Sequence, residues 1–172
     1  MHAYSTNIDI SPQLTTHKLT ATALEMINQA AIWSEEKWGY VLKFAGLENR
    51  KKLITELTFS PHGFYFLTYG KQPAGMFSLR SCADREICPE LSHLKNMLEL
   101  DYVYTAKGFR GLGIGNKIVE RAKIEARHLG AKHLEFDTLD PVLNNFYLKH
   151  GAKIICKSNY HGFPTDKLLI AL

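Results

Sequence analysis

The stretch that most constrains this 172-residue chain runs from Met97 to Gly130, where the hydrophobic period changes across a run of glycines. "MLELDYVYT" alternates, which predicts a strand with Leu98, Leu100, Tyr102 and Tyr104 on one face. Glu99, Asp101, Val103 and Thr105 then fall on the other face. "FRGLGIGNK" follows, with Gly111, Gly113 and Gly115 on alternate positions. Beyond it Ile114, Ile118, Ala122 and Ala126 step by four until Gly130, which reads as a helix with one apolar stripe and a glycine stop. A strand, a glycine turn and a helix in direct succession belong to a chain that layers helices on a sheet.

The remaining segments fill in that picture. "TATALEMINQAAIWSEEKWGY" predicts a helix with Leu24, Ile27, Ala31 and Trp38 near one stripe, and "LENRKKLITELTF" a second with Leu47, Leu53, Ile54 and Leu57. "GFYFLTYGKQPAGMFSLRSC" reads as an antiparallel hairpin, and a polar, irregular stretch from Ala83 to about Lys95 follows it. "KHLEFDT" predicts a strand, "PVLNNFYLKH" a short helix closed by Gly151, and "AKIICKSNY" and "TDKLLIAL" two last strands. "NIDIS" supplies a short strand at the start. The expected fold is α/β (α+β), with a mixed central sheet of about six to seven strands flanked by about four helices. No repeat, low-complexity tract or linker interrupts the chain, so residues 1–172 are expected to form one domain.

Composition excludes several functions. The net charge of +4 comes without a concentrated Lys/Arg block, which argues against nucleic acid as the partner. No apolar run is long enough to cross a bilayer, and the polar start lacks the apolar core of a signal peptide, so a cytoplasmic protein without a membrane partner is expected. Three cysteines (Cys82, Cys88, Cys156) make a poor disulfide framework and suit a reducing compartment. The eight histidines show no H-x-x-x-H pair, and no metal is expected.

The glycine turn carries the functional signal. The first amides of a helix lack intrahelical partners, and the helix dipole adds partial positive charge, so a strand–turn–helix of this kind cradles phosphate. Gly111, Gly113 and Gly115 carry no side chains that would hold a phosphate off those amides, and Arg110 adds a permanent charge. The G-x-G-x-x-G spacing of dinucleotide folds is missing, and so is the G-K-[ST] ending of the Walker loop. The arrangement present is R-x-x-G-x-G, from Arg110 to Gly115.

That arrangement resembles the acyl-CoA pyrophosphate loop of the GCN5-related N-acetyltransferases, the GNAT superfamily. "NNFYLKHGA" downstream is similar to the family's closing signature, with Phe146-Tyr147 followed by Gly151, and the element order agrees with the family fold. "IWSEEKWGY" and "YHGFP" look like a bacterial subgroup of small acetyltransferases. The resemblance implies that the amides of Arg110, Gly111, Gly113, Gly115 and Asn116 surround the pyrophosphate of acetyl-CoA. It implies that backbone groups of Val103 and Thr105 pair with the pantetheine arm, and that an amide near Val103 donates to the thioester oxygen. Asp140 stands where many members place an asparagine on that arm, with Asn144 or Asn145 as replacements.

For catalysis the resemblance places Tyr147 as general acid for the departing thiolate and Glu99 as general base, with Asp101 two residues on as a second carboxylate. Each has a plain structural alternative: a core aromatic for Tyr147, and an ion pair for Glu99 and Asp101. Trp33, Glu35, Glu36, Trp38 and Tyr40 fall where the family shapes its acceptor pocket, although packed tryptophans with glutamates outside is the simpler reading. The implied activity is acetyl transfer from acetyl-CoA to a primary amine of a small molecule or protein, by direct transfer in a ternary complex. The protein would act as a monomer or homodimer. The competing reading is a non-catalytic acyl-CoA-binding sensor.

Overall fold

The computed structural model describes residues 13–41, 45–83 and 88–172. Its elements follow the predicted order: β1 (Leu14–Lys18), α1 (Leu24–Trp38), α2 (Leu47–Thr58), β2 (Phe64–Tyr69), β3 (Gln72–Ser81), β4 (Met97–Thr105), α3 (Ile114–His128), β5 (His133–Thr138), α4 (Asn144–Leu148), β6 (Ala152–Tyr160) and β7 (Phe163–Ala171). The expected strand at "NIDIS" lies outside the described residues. The strand that opens the described sheet is instead "LTTHK", a polar segment held on the sheet edge by its ladder to β2. Seven strands form one sheet in the order β1-β2-β3-β4-β5-β7-β6. Every neighbouring pair is antiparallel except β4 and β5, which run parallel.

Each face of the sheet buries its own apolar layer. The α3 stripe of Ile114, Ile118, Ala122 and Ala126 packs on Phe77, Leu79, Leu98 and Leu100, together with Tyr147 of α4. Against the other face, Ile27, Ala31 and Trp33 of α1 and Ile54 of α2 pack on Phe64, Phe66, Met76, Tyr102 and Tyr104. The helix-to-sheet approach on the α3 side is close at Gly75, where an added Cβ would stand 2.5 Å from Ile118 Cδ1 and 2.7 Å from the Tyr104 carbonyl oxygen. Not every predicted stripe residue is buried: Leu24, Leu47 and Leu53 remain solvent-exposed.

Strand β4 departs from simple alternation. Its register against β3 slips between Met76 and Ser78, and Tyr102 takes a left-handed φ of 54°. This β-bulge inserts one extra residue and turns the rest of the strand over. Leu98 and Leu100 therefore face α3, whereas Tyr102 and Tyr104 face α1 and α2. The expected single face of Leu98, Leu100, Tyr102 and Tyr104 is thus split. Val103 joins the α3 layer, away from the face that carries Glu99 and Asp101.

Two links tie the periphery to this frame. Arg50 of α2 is fully buried; its Nε donates to Glu35 at 3.0 Å and its Nη2 to the Trp38 carbonyl at 3.4 Å, which locks α2 to the end of α1. The Glu35 carboxyl is held below its usual range by hydrogen bonds, first from the Gly46 backbone and then from Arg50. Replacing Arg50 with Ala should cost about 2 kcal/mol, because it strips these bonds and leaves a hole in the helix pair. Thermal unfolding should show the loss as a lower Tm; an unchanged Tm would mean that the pair contributes nothing. The second link is the approach of Cys88 and Cys156, 68 residues apart, whose sulfur atoms meet where the turn before β4 folds against β6, while Cys82 is a buried thiol. Sequence spacing gave no sign that the turn before β4 would fold against β6.

Candidate active site

The parallel ladder between β4 and β5 is short. It runs from Met97↔His133 to Glu99↔Glu135 and then ends, while β3 stays paired with β4 as far as Thr105. The bulge adds local twist at the point where the two strands part. The divergence opens a cleft of about 540 Å³. Leu100 to Val103 and Thr105 form one wall, Asp137 to Asp140 the other, and Phe146 and Tyr147 of α4 contribute from below. Backbone groups on the β5 side of this half of β4 are available to a ligand that lies along the strand.

At one end of the cleft the chain makes the glycine turn. Gly111 and Gly113 take φ values of +75° and +79°, and a Cβ built on either meets nothing within 4 Å. The amide of Lys117 makes the first turn bond, to the Gly113 carbonyl at 3.3 Å, so the amides of Ile114, Gly115 and Asn116 precede it without intrahelical partners. Arg110 leans across Tyr104, its guanidinium 5.6 Å from the ring, and its Nε donates to the Thr105 carbonyl at 3.2 Å. Its own amide donates to the Lys107 carbonyl at 3.4 Å. The side chain of Asn116 meets His150 Nε2 at 3.0 Å, which fastens the start of α3 to the chain after α4. Free amides, open space where side chains would stand and an adjacent guanidinium fit a pyrophosphate group.

Tyr147 is buried, with its ring 4.6 Å from Phe136 and 5.0 Å from Phe146, and it lines the cleft. Burial first, and then the charge of Asp101, push its phenol far above the usual tyrosine range. It therefore carries its proton throughout the neutral range. Glu99 and Asp101 line the cleft too, and both face Arg80, which lies 3.7 Å from Glu99 Oε2 and donates to Asp101 Oδ2 at 3.3 Å. The other Asp101 oxygen accepts from the Tyr102 amide at 2.8 Å, within the bulge. Glu99 is almost completely buried, whereas Asp101 is partly open to the cleft. Asp140 also lines the cleft, and its carboxylate accepts from the Val142 amide at 3.0 Å. Asn145 is exposed and outside the lining. Asn144 is buried, with its side chain bonded to Thr138 and Asp166.

Of the aromatic acceptor set, Trp38 and Tyr40 line the cleft, while Trp33 is stacked between Phe66 and Tyr104 in the core. Glu35 is committed to Arg50, and Glu36 lies 3.8 Å from Lys107. Sequence reasoning missed Lys37 of α1 and Tyr160 of β6, both in the cleft lining. Lys37 sits beside Trp38 inside a motif already singled out; Tyr160 carries no sequence signal of its own.

Several phenols share the character of Tyr147. Burial raises Tyr102 to about 12, with Asp101 adding to the effect, and raises Tyr65 to about 12, with Glu125 adding. A phenol whose pKa rises on folding contributes stability that is intact below its ordinary value of 10.0 and is lost as pH climbs through about 12. Tyrosinate absorbance from these residues should therefore appear together with loss of the circular dichroism signal, above pH 10.0. Full tyrosine ionisation in a still-folded protein would contradict their burial.

Comparison with known proteins agrees with this geometry. The family described as "Acetyltransferase (GNAT) family" matches residues 25–152. An acetyltransferase from Thermus thermophilus superposes with a TM-score of 0.70 at 15% identity, over 93% of this chain and 97% of that one. One from Streptococcus agalactiae gives 0.69 at 14% identity, over 92% and 98%. A Mycobacterium tuberculosis protein crystallised with CoA and NLQ gives 0.64 at 16% identity, over 92% and 99%. A search of curated proteins returns no significant match. Among the described residues no helix is long and apolar enough to cross a membrane. The family match covers most of the chain and runs through the diverging strands, the glycine turn and Tyr147: the chain belongs to the acetyltransferase (GNAT) family, whose cosubstrate is acetyl-CoA.

Proposed function

We propose that this protein is an N-acetyltransferase that moves the acetyl group of acetyl-CoA directly to a primary amine within a ternary complex. The observation that carries the reading is the juxtaposition of three features around one cleft: the unpaired half of β4, the open amides at the start of α3 and the protonated phenol of Tyr147. Acetyl-CoA, when bound, supplies a thioester whose carbonyl is open to attack by an amine.

The residues divide the work. The amides of Gly111, Gly113, Gly115 and Asn116, with Arg110 beside them, bind the pyrophosphate. Backbone groups of Val103 and Thr105 orient the pantetheine arm as an added strand would, and an amide near Val103 polarises the thioester oxygen. Tyr147 holds a proton at its phenol oxygen for the leaving sulfur. Arg80 pairs with Glu99 and Asp101 on the acceptor side, where Asp101, the more open of the two, draws in a cationic amine and takes its proton through water. Asp140 contacts the pantetheine arm from the β5 wall. Asn145, which is exposed and outside the cleft lining, would need α4 to shift before it took that role. The donor places the reaction in a cytoplasm that supplies acetyl-CoA, with residues 1–172 acting as one catalytic unit, as a monomer or homodimer.

The test is thiol release from acetyl-CoA against polyamines, aminoglycosides, amino acids and lysine peptides, with CoA binding measured in parallel by calorimetry. Turnover with one amine class fixes reaction and acceptor together. Tight CoA binding without turnover on any amine would count against the enzyme and favour a sensor.

A further inference from the structure

The last turn of α1 sends Lys37 into the cleft. Its Nζ donates to the Val103 carbonyl at 3.4 Å, and it lies 4.8 Å from the centre of the Trp38 ring and 5.6 Å from that of Tyr104. Val103 belongs to the half of β4 that has lost its β5 partner, so this amine rests on the strand segment assigned above to the thioester end of the donor. Tyr147 lines the same cleft.

Other lysines of the chain are held differently. Lys51, Lys107, Lys123, Lys157 and Lys167 each form ion pairs with carboxylates. Lys37 has no ion pair among the described residues; its polar contact is the neutral carbonyl of Val103. Its surroundings also disfavour the ammonium. Burial lowers its pKa most, the nearby Arg110 charge lowers it further, and Asp140 offsets part of the effect. A larger fraction of Lys37 is consequently the neutral, nucleophilic amine than for a lysine at the surface.

Resting on the acetyl-transfer reading of the cleft, we propose that Lys37 is itself an acetyl acceptor, so that the enzyme modifies the lysine at the end of its own first helix. After the ammonium loses a proton to water, the Nζ lone pair forms a bond to the acetyl carbonyl carbon and the carbon–sulfur bond breaks. The sulfur departs with the bonding pair and takes a proton from Tyr147, the new amide nitrogen gives up its extra proton to solvent, and Tyr147 is reprotonated from solvent. One neutral lysine and one acetyl-CoA thus give one Nζ-acetyl-lysine and one CoA thiol, with no redox change. Holding the amine in the donor cleft gives it the advantage of an intramolecular reaction over lysines that must meet acetyl-CoA by diffusion.

The protein, with no amine added, is incubated with acetyl-CoA carrying a deuterated acetyl group, and the label is mapped by peptide mass spectrometry. Label should enter the Lys37 peptide roughly tenfold faster than any other lysine peptide. The rate should saturate with donor concentration and fall in Tyr147→Phe. Lys37→Arg should lose this fast label while still binding CoA by calorimetry and keeping its circular dichroism spectrum. Intact CoA binding with Lys37 unlabelled, or labelled no faster than the surface lysines, overturns the proposal alone. Failure to bind CoA at all overturns the acetyl-transfer reading and the proposal with it.

Discussion

Gly113→Trp should weaken CoA binding by at least about 100-fold, equivalent to roughly 3 kcal/mol, while leaving a cooperatively folding protein. Two effects combine here. Gly113 caps α3 with a φ of +79°, where an L side chain costs roughly 1–2 kcal/mol, a strain that an α3 stripe buried along its length can absorb. The larger effect falls on the ligand. An added Cβ at Gly113 meets no protein atom within 4 Å, so the indole would project into the open space in front of the free amides, where the pyrophosphate is proposed to sit. Calorimetry against CoA measures the loss, and a thermal melt confirms the fold. Wild-type affinity in this variant would remove the glycine turn from the binding site.

Tyr147→Phe should lower kcat by about 100-fold and change the Kd for CoA little. Phenylalanine keeps the ring that packs on Phe136 and Phe146 and deletes only the proton donor. Because burial and Asp101 keep the phenol protonated well beyond neutrality, an alkaline limb of the wild-type pH–rate profile near neutral pH should belong to other groups, and it should persist in the variant. The measurement is kcat on the amine found by the panel, beside the CoA titration. Equal turnover in the two proteins would reduce Tyr147 to a packing residue.

Much of this molecule is legible in its sequence because the relevant physics is local. Ile114, Ile118, Ala122 and Ala126 announce the buried stripe of α3, and Gly111 and Gly113 announce backbone that must turn left-handed before a helix. What stayed hidden depends on pairing between distant segments. The β4 bulge has no residue signature; it follows from how β3 meets β4, and it carries Val103 to the face opposite the one expected for it. The divergence of β4 from β5 is likewise a property of two strands. Lys37 carries no role of its own in the sequence, and only the fold sets it against the Val103 carbonyl. Asp101 and Glu99 read as a carboxylate pair, and only the β3 register shows that Arg80 pairs with both. "LTTHK" is too short and polar to alternate visibly, and it becomes a strand because β2 offers it an edge.

A ligand held by peptide groups makes unusual demands on heredity. The chemistry that would meet the pyrophosphate is present in every amino acid except proline, so mutation cannot delete it by changing a side chain; it can only distort the loop or obstruct it. Leu112, two-thirds exposed between the two left-handed glycines, should accept almost any replacement, whereas its neighbours accept almost none. Saturation of residues 111–115 would then give a comb of intolerant and indifferent positions rather than a block, and the teeth of the comb would mark dihedral angles instead of functional groups.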